Sequence, residues 1–386
     1  MKKILVFINY HGVLSETFIA DELDFLRHNE ELDIDVLHFG DDNIEEGIYG
    51  LKFPVGIIQR WKKIIRNCDF SIFKYLGYRN GINGVLPFLA NFLKGKKYDT
   101  IYCHFGTNGK LIAELKKIGV VSLETKLVVR FHGLDMNFTK YSKSYYNVLV
   151  DYCDAILFGS SMAKEKLFNY GLKNNLVFLP VGIQNKNISG LIDEISNDVG
   201  SCRSFKILSV GRFIELKGHE MSVEIINKLK IENVTLKIIG EGPLFNKISK
   251  VIINKNLQGK IKLLGSQPHA FVFSELERID VYLYSGIYDS EGRCENQATS
   301  ILEAMAKGKI VLASSLGGIP DYLLENKTGF LCRPGDVMQF VEKLNWIISN
   351  FSSTTINRIR TNAINMVKEN YCQEQLNVQL LEILKK

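Results

Sequence analysis

Residues 280–315, DVYLYSGIYDSEGRCENQATSILEAMAKGKIVLASS, contain a strand, a loop, a helix and a second strand. The two apolar runs, 280–285 and 310–315, lack the polar alternation of a half-exposed strand, and the helical pattern extends from about Thr299 to Lys307. Strands of this kind, separated by helices, are typical of parallel sheets that are covered on both faces. The stretch therefore predicts an α/β fold.

The same alternation extends over the whole chain of 386 residues, which is long enough for two hydrophobic cores. Apolar runs cover residues 3–9, 34–40, 98–104, 126–133, 155–160, 176–182, 206–211, 235–240, 261–265, 280–285 and 310–315. We predict two doubly wound Rossmann-like domains whose parallel sheets face each other across a cleft. The predicted boundaries are 1–183 for the first domain, 184–204 for a polar linker, 205–370 for the second domain, and 371–386 for a C-terminal helix that returns to the first domain.

The composition indicates an ordered protein of a reducing compartment. Charged residues make up 23% of the chain and the net charge is +6, which does not suggest disorder or nucleic-acid binding. The seven cysteines are odd in number and form no Cys-x-x-Cys pair, which disfavours a disulfide framework or a zinc site. The N-terminal residues MKKILVFIN run directly into a strand pattern without the features of a secretory signal, so we expect a cytoplasmic protein.

The positive charge is concentrated in one segment. Residues 50–99 contain ten basic residues and only two acids, with Trp61 and other apolar residues between them near helical spacing. A basic amphipathic helix of this kind suits an anionic membrane surface, and residues 50–97 are therefore a candidate membrane contact. The alternative is an ordinary surface helix whose apolar side faces the core.

Ligands of doubly wound folds bind at the carboxyl ends of the strands. The sequence Gly240-Glu241-Gly242-Pro243 follows a strand there, but Phe245 stands where a dinucleotide-binding motif requires its third glycine, and no Walker lysine loop is present. A dehydrogenase or a P-loop enzyme is therefore disfavoured.

A second strand is followed by Gly211-Arg212-Phe213-Ile214-Glu215-Leu216-Lys217-Gly218. Arg212 and Lys217 are two cations in one strand-to-helix loop, and together they can bind one anion, for which a diphosphate is the natural candidate. The alternative is a surface loop whose charges contact only water.

Two acidic residues frame the helix of the stretch quoted first. Glu295 falls in the loop before the helix, and Glu303 lies one to two turns inside it among small and apolar residues. The backbone N–H groups of Asn296 to Thr299 would form a positive helix N-terminus that suits phosphate or sugar oxygens. Glu303 needs a polar partner such as a ribose diol, unless the two acids are merely a capping glutamate and an exposed one.

The motifs of the second half, taken in order, resemble family 4 of the glycosyltransferases, which are retaining enzymes of the GT-B fold that use a nucleotide sugar. The residues that carry the resemblance are Gly211-Arg212…Lys217-Gly218, Gly240-Glu241-Gly242-Pro243, Glu295 with Glu303-Ala-Met-Ala, Gly317-Gly318-Ile319-Pro320 and Thr328-Gly329-Phe330. Ser15-Glu16-Thr17-Phe18 and His132-Gly133-Leu134-Asp135 extend it more weakly into the first half, and the former is similar to members that build bacterial exopolysaccharide and O-antigen units.

The resemblance implies a role for each matching residue. Arg212 and Lys217 would hold the diphosphate, Glu295 would contact the hydroxyls of the donor sugar, Glu303 would bind the ribose, and His132 would face the sugar from the other domain. The nucleotide base would lie near Leu264 to Gln267. The remaining donor-binding candidates are Asn296, Gln297, Thr299, Gly211, Gly240, Gly242, Gly12 and Ser15.

The mechanism implied by the resemblance is front-face substitution with retention, in which the departing phosphate takes the proton of the acceptor. Neither metal-ligand spacing nor an Asp-x-Asp motif is present in the sequence, so we expect no metal and no cofactor beyond the nucleotide-sugar substrate. The chain departs from many members at Asn296, where a glycine usually follows the first acid. Glu291-Gly292 is a competing alignment for that acid, but its spacing to Glu303 is four residues too long, so Glu295 is preferred.

We therefore predict a retaining glycosyltransferase that moves a sugar from a nucleotide sugar, UDP- or GDP-linked, to a glycan or an undecaprenyl-linked glycan in surface polysaccharide synthesis. It is expected to be cytoplasmic or peripheral on the inner face of the plasma membrane. The alternatives are a nucleotide-sugar 2-epimerase, which would not favour the Glu295/Glu303 spacing, and a non-catalytic partner that binds sugar nucleotides or glycans.

Overall fold

The computed structural model describes residues 1–9, 17–40, 46–51, 85–137, 140–189 and 204–386. The strands of these residues are Lys2–Phe7 (β1), Leu32–Phe39 (β2), Ile48–Leu51 (β3), Thr100–His104 (β4), Lys126–Arg130 (β5), Ala155–Phe158 (β6), Leu176–Phe178 (β7), Phe205–Val210 (β8), Val234–Ile239 (β9), Ile261–Leu263 (β10), Val281–Tyr284 (β11), Ile310–Ser314 (β12) and Phe330–Cys332 (β13).

The helices of the described residues are Thr17–Arg27 (α1), Val85–Leu93 (α2), Gly106–Lys117 (α3), Val148–Tyr152 (α4), Ser161–Asn169 (α5), His219–Lys228 (α6), Phe245–Asn254 (α7), His269–Arg278 (α8), Thr299–Ala306 (α9), Val337–Ser349 (α10), Thr354–Asn370 (α11) and Gln373–Lys385 (α12). Short 3₁₀ turns cover Leu134–Met136, Asn185–Asn187, Glu215–Lys217 and Ile319–Asp321. In the parts of the chain that are described, no helix is both long and apolar enough to span a bilayer.

The chain forms two compact units. The first comprises Met1–Gly159, Ala163–Leu179 and Asn377–Lys386, and the second comprises Ser160–Met162 and Pro180–Leu376. Within the first unit, the Lys126 ammonium donates to the carbonyl of Ile383 at 2.5 Å, and the Thr100 hydroxyl donates to the carbonyl of Leu384 at 3.0 Å. These contacts attach the end of α12 to the first sheet.

Each unit contains one parallel sheet. The described strands of the first sheet are ordered β3-β2-β1-β4-β5-β6-β7, and those of the second β10-β9-β8-β11-β12-β13. The direction of the strand order reverses between β1 and β4 in the first sheet and between β8 and β11 in the second. Such switch points are where doubly wound sheets bind ligands, because the loops after the two strands diverge there.

The second sheet is covered on both faces, as its apolar strands predict. Val281 and Leu283 pack into the core on one face, and the alternate residues Tyr282 and Tyr284 pack into the core on the other. Side chains of successive strand residues point to opposite faces of the sheet. In a strand that is buried on both faces, every side chain therefore lies in a hydrophobic core. This explains why the strand sequences are continuous apolar runs.

The apolar runs of the sequence correspond to strands in both sheets. The edge strand β3, Ile48–Leu51, was not predicted: it is four residues long, contains Gly50, and pairs along one side with β2. Most of two predicted segments lies outside the described residues, namely 190–203 of the linker 184–204, and 52–84 of the basic segment 50–97.

Candidate active site

The loop after β8 begins at Gly211, and its end is fixed by contact with the loop after β11. Gly218 has a left-handed backbone (φ +66°), and a Cβ atom there would lie 1.8 Å from the carbonyl oxygen of Ser285. The hydroxyl of Ser285 donates back to the carbonyl of Gly218 at 2.8 Å. Only glycine fits this close approach, so Gly218 fixes the loop against the neighbouring strand end.

A buried histidine holds the other end of this loop. Nε2 of His219 lies 3.0 Å from the carbonyl oxygen of Gly211. Burial lowers the pKa of His219 to about 4, and the nearby Lys217 charge acts in the same direction. The imidazole is therefore neutral at pH 7, and its Nε2–H donates to Gly211.

The two glycines of the Gly240–Pro243 motif allow the loops after β8 and β9 to touch through their backbones. A Cβ at Gly240 would lie 2.0 Å from the carbonyl oxygen of Gly211, and one at Gly242 would lie 2.7 Å from that of Phe213. Both glycines have positive φ angles, +144° and +152°. Gly211, Gly240 and Gly242 therefore allow the loops after β8 and β9 to pack closely against each other.

Lys217 and Glu295, predicted from separate motifs, are in direct contact. The Lys217 ammonium forms an ion pair with Oε2 of Glu295, and the Tyr284 hydroxyl donates to the same oxygen at 2.9 Å. Burial and the Glu295 charge raise the pKa of Tyr284 well above its ordinary value, so the phenol keeps its proton. The contact lies at the β8/β11 switch point and leaves Oε1 of Glu295 for other hydrogen-bond donors.

Arg212, in the same loop as Lys217, is exposed. Among the described residues, no carboxylate forms an ion pair with its guanidinium. An anion that reaches the loop would therefore meet one unpaired cation, Arg212, and one cation shared with a carboxylate, Lys217. Fixed cations of this kind are suited to stabilising a diphosphate.

The structure distinguishes the two candidate acids of the long loop. Glu291 is exposed and pairs with Arg293 at 3.1 Å, and Arg293 also forms an ion pair with Asp289 at 2.7 Å. Asp289 accepts from the backbone N–H groups of Glu291 and Arg293 at 3.0 and 2.8 Å. Glu291 thus pairs with Arg293 of its own turn, whereas Glu295 pairs with Lys217 of the loop after β8.

The Gly317-Gly318 turn supports the backbone of the Glu295 loop. A Cβ at Gly317 would lie 1.6 Å from the carbonyl oxygen of Glu295, and one at Gly318 would lie 2.1 Å from that of Asn296. This motif therefore acts through close packing.

The polar side chains after Glu295 have protein partners. The Ser160 hydroxyl donates to Oδ1 of Asn296 at 2.6 Å. Gln297 makes two hydrogen bonds with the backbone of Val181: its amide accepts from the N–H at 2.9 Å and donates to the carbonyl at 2.7 Å. These contacts fix the loop and engage the Asn296 and Gln297 side chains, so the backbone is the main part of this stretch that could contact a ligand.

The backbone N–H groups at the start of α9 are partly available. The N–H of Ala298 donates to the Tyr322 hydroxyl at 3.1 Å. Within residues 204–386, no group accepts from the N–H groups of Asn296, Gln297 or Thr299, the last being the first residue of the helix. A helix N-terminus with such N–H groups attracts an anion or a sugar oxygen.

Glu303 is buried on α9, as its apolar neighbours indicate, and its partner is a histidine. Nε2 of His269 lies 2.9 Å from Oε1 of Glu303, and the imidazole remains 56% exposed while the carboxylate is 11% exposed. His269 begins α8, two residues after Gln267, whose amide donates to the carbonyl of Leu264 at 2.7 Å. The ribose candidate Glu303 and the base candidate segment 264–267 are thus linked through His269.

His132 belongs to the first unit, at the end of β5. Its Nε2 lies 3.1 Å from Nδ1 of His104, and its backbone N–H donates to Oδ1 of Asp135 at 3.1 Å. Burial, together with the nearby Arg130 charge, lowers the pKa of His132 well below its ordinary value. Gly12 and Ser15, also predicted in this unit, lie outside the described residues.

Tyr284 and His269 contact the predicted acids and were not predicted from the sequence. Tyr284 is the last residue of an apolar strand, and its sequence context is that of a core residue. His269 follows Pro268 at the start of a helix, directly after the segment predicted to face the base. This position next to the base candidate segment was the one sequence feature that could have indicated a role for His269.

Residues 192–366 match the family model described as glycosyl transferases group 1. The chain is 26% identical over 291 residues to the putative colanic acid biosynthesis glycosyltransferase WcaL of Salmonella typhimurium, covering 74% of this chain and 70% of that protein. It is 28% identical over 246 residues to the amylovoran biosynthesis glycosyltransferase AmsK of Erwinia amylovora, covering 62% of this chain and 58% of that protein.

Among solved structures, the chain is similar to HepE of Anabaena. The complex of HepE with UDP superimposes with a TM-score of 0.75 at 16% identity, and each chain is covered to 100%. The complex with UDP-glucose superimposes with a TM-score of 0.72 at 17% identity, again with full coverage of both chains. The two parallel sheets and these similarities confirm the predicted GT-B fold, and the family match confirms the predicted resemblance.

Proposed function

We propose that this chain is a glycosyltransferase of group 1 that transfers a sugar from a UDP-sugar to a hydroxyl of a lipid-linked glycan during the synthesis of a bacterial surface polysaccharide. The contact of Lys217 with Glu295 carries the proposal, because it joins a diphosphate-binding cation and a sugar-binding acid at one switch point. The names of the relatives WcaL and AmsK support a polysaccharide product, and the UDP complexes of HepE support a uridine nucleotide.

The proposed donor site is contained in the second unit. Arg212 and Lys217 bind the diphosphate, and the free N–H groups before α9 add hydrogen bonds to it or to the sugar. Oε1 of Glu295 accepts from sugar hydroxyls, and Oε2 of Glu303 accepts from the ribose while Oε1 is held by His269. These assignments use both acids without making them a glycosidase pair.

The proposed reaction retains the anomeric configuration. The acceptor oxygen attacks C1 of the sugar from the face that the diphosphate leaves, the bond from C1 to the phosphate oxygen breaks, and that oxygen takes the acceptor's proton. Negative charge accumulates on the departing diphosphate. Lys217 and Arg212 stabilise this transition state most strongly, because preorganised cations stabilise developing negative charge. We propose that they meet this need without a metal ion.

Transfer from UDP-glucose and other UDP-sugars to a lipid-linked or synthetic glycosyl acceptor tests this proposal. NMR of the early product is expected to show the anomeric configuration of the donor, and EDTA is expected to leave the rate unchanged. An inverted product would refute the retaining mechanism, and loss of activity in EDTA that added Mg²⁺ restores would refute metal independence. If the protein formed only the sugar nucleotide epimerised at C2, and no glycoside, it would be an epimerase and the proposed sugar transfer would be refuted.

We also propose that the enzyme works at the inner face of the plasma membrane, on the strength of the basic sequence 50–97. Anionic vesicles are expected to bind the full chain at low salt, and neutral vesicles of the same size are not. Equal binding to both vesicle types, or binding to neither, would contradict the proposed membrane contact.

A further inference from the structure

Four buried polar side chains of the first unit form a connected series that ends at the half-buried His132. Oε2 of Glu22 forms an ion pair with Arg130, and Oε1 of Glu22 accepts from the Tyr102 hydroxyl at 2.7 Å. The same oxygen lies 3.2 Å from Nε2 of His104, within ion-pair distance. Nδ1 of His104 then lies 3.1 Å from Nε2 of His132, and the two rings are stacked with an interplanar angle of 4°.

These residues come from three elements that meet at the switch point of the first sheet. Glu22 lies on α1, His104 is the last residue of β4, and Arg130 is the last residue of β5. Glu22, His104 and Arg130 are 2%, 0% and 4% exposed. Burying so many polar groups is costly unless each is paired, so the arrangement is expected to be specific.

Glu22 is ionised at neutral pH. Its burial alone would raise the pKa, but Arg130, His104 and Tyr102 together hold the pKa of Glu22 at about 2. Because Arg130 already balances this carboxylate, a second cation at His104 would leave an uncompensated positive charge in the interior. A single hydrogen lies between Nδ1 of His104 and Nε2 of His132, so one of these two nitrogens donates and the other accepts.

The carboxylate decides which nitrogen of His104 carries the hydrogen. A lone pair on Nε2 would face the negative Glu22 oxygen at 3.2 Å, whereas an N–H there is attracted to it. The lone pair of His104 is thus on Nδ1, where it accepts from Nε2–H of His132. His132, itself neutral, is left with its own lone pair on Nδ1.

The ring of His132 is held on its other sides as well. Phe18 and Phe105 contact it with ring centroids 5.2 and 4.8 Å away. Asp135 accepts from the backbone N–H groups of His132, Gly133 and Gly106, which fixes the backbone on either side. The residue is nevertheless half-buried, and no group among the described residues donates to Nδ1.

We propose that Glu22 and His104 are positioning residues that fix His132 in its Nε2–H tautomer, so that Nδ1 accepts a hydrogen bond from a sugar hydroxyl of the substrate. The identity of the hydroxyl donor rests on the proposed function, whereas the tautomer rests on the contacts of the first unit alone. A substrate without that hydroxyl leaves Nδ1 unpaired, which gives the site a means of selecting its sugar.

The tautomer can be measured directly by NMR on the full chain labelled with ¹⁵N in the histidine rings, at pH 7.5, with His132→Gln used to assign the resonances. We expect His132 and His104 both to show Nε2 protonated and Nδ1 unprotonated. An Nδ1–H tautomer or an imidazolium at His132 would overturn the proposal.

A variant series tests whether Glu22 sets the tautomer. Glu22→Gln alone leaves the buried Arg130 charge without the Glu22 carboxylate, which is strongly destabilising and can prevent folding. The triple variant Glu22→Leu/Arg130→Met/Tyr102→Phe removes both charges and the hydroxyl together. Tyr102→Phe alone is the matched control, since it removes the other hydrogen bond to the same oxygen.

We expect Tyr102→Phe to keep the single Nε2–H tautomer and the triple variant to show a substantial Nδ1–H population at His132. An unchanged tautomer in a folded triple variant would show that Glu22 does not set it. Wild-type protein with the expected tautomer but without transferase activity would contradict the proposed function and leave the positioning intact. Active protein with the opposite tautomer would contradict the positioning alone.

Discussion

Lys217 and Glu295 form an ion pair although 78 residues separate them in the chain. Lys217 follows β8 and Glu295 follows β11, which are neighbours in the second sheet because the strand order reverses between them. The pair brings two sequence motifs together at one edge of the sheet. In the proposed donor site, the Lys217 charge is shared, before a donor binds, with a carboxylate that the diphosphate must approach.

Substitution Glu295→Gln is expected to separate donor binding from transfer. The amide removes a negative charge near the diphosphate and releases Lys217, so calorimetry should show UDP binding that is unchanged or several-fold tighter. Transfer should fall by about 10²–10³-fold, which is typical of losing one preorganised polar contact to the reacting group. UDP binding weakened tenfold or more would show that Glu295 does not oppose the diphosphate.

The matched variant Lys217→Met is expected to behave differently. It retains an unbranched side chain but loses the cation, so both UDP binding and transfer should fall. The loss in affinity should be about 10–100-fold, which corresponds to about 1.5–3 kcal/mol for a hydrogen bond to a charged group. Equal UDP affinity in Lys217→Met and wild type would place the diphosphate elsewhere.

Glu303 is expected to set the preference for ribose. Wild-type protein should bind UDP more tightly than 2′-deoxy-UDP, because the deoxy compound leaves part of a buried carboxylate without a partner. In Glu303→Ala the two ligands should bind with the same, weaker affinity. Competition binding of both nucleotides to both proteins measures this, and a preference that survives in Glu303→Ala would assign the ribose to another residue.

Gly240→Ala is expected to destabilise the protein by more than about 1 kcal/mol and to weaken UDP binding. The added methyl group would lie 2.0 Å from the carbonyl oxygen of Gly211, at a φ of +144° that alanine rarely adopts. Gly259 is the control, since it is exposed and a Cβ there meets nothing within 4 Å. Gly259→Ala should stay within about 1 kcal/mol of wild type in urea unfolding, with the same UDP affinity.

His219 makes the stability of the second unit depend on pH. Its pKa is about 4 in the folded protein against an ordinary 6.5, so as the pH falls the unfolded chain takes up the proton first. The stabilisation is complete above about pH 6.5 and decreases as the pH falls towards 4, by about 3 kcal/mol in all.

His219→Gln keeps a donor for the carbonyl of Gly211 and removes the titration. Urea unfolding at pH 7.5 and 4.5 should therefore show a smaller acid-induced loss in the variant than in wild type. If wild type and variant lose the same free energy of unfolding between pH 7.5 and 4.5, protonation of His219 does not destabilise the folded protein.

The sequence predicted the strands of the second sheet well because their burial on both faces leaves a continuous apolar run, as in residues 206–211. The helix expected from Thr299 to Lys307 is observed at Thr299–Ala306. The edge strand Ile48–Leu51 gave no such signal. It is short, contains Gly50, and obtains its pairing from β2.

The partners of the site residues were less predictable. Tyr284 has the context of a core residue, and only the fold brings its hydroxyl to Glu295. Likewise, the spacing favoured Glu295 over Glu291, but it did not indicate that Glu291 pairs with Arg293 and Glu295 with Lys217. Contacts between distant segments depend on strand order, which a local pattern does not contain.

Thermal stabilisation of the purified full chain by UDP, GDP, dTDP and ADP and their sugar conjugates, with Glu303→Ala in parallel, tests the donor site most directly. We expect one nucleotide family, the uridine one, to stabilise wild type by about 2.7 kcal/mol at one hundred times its dissociation constant. The stabilisation should be much smaller in Glu303→Ala at the same nucleotide concentration. A folded wild-type protein that none of these nucleotides stabilises would contradict the donor site and with it the proposed transferase.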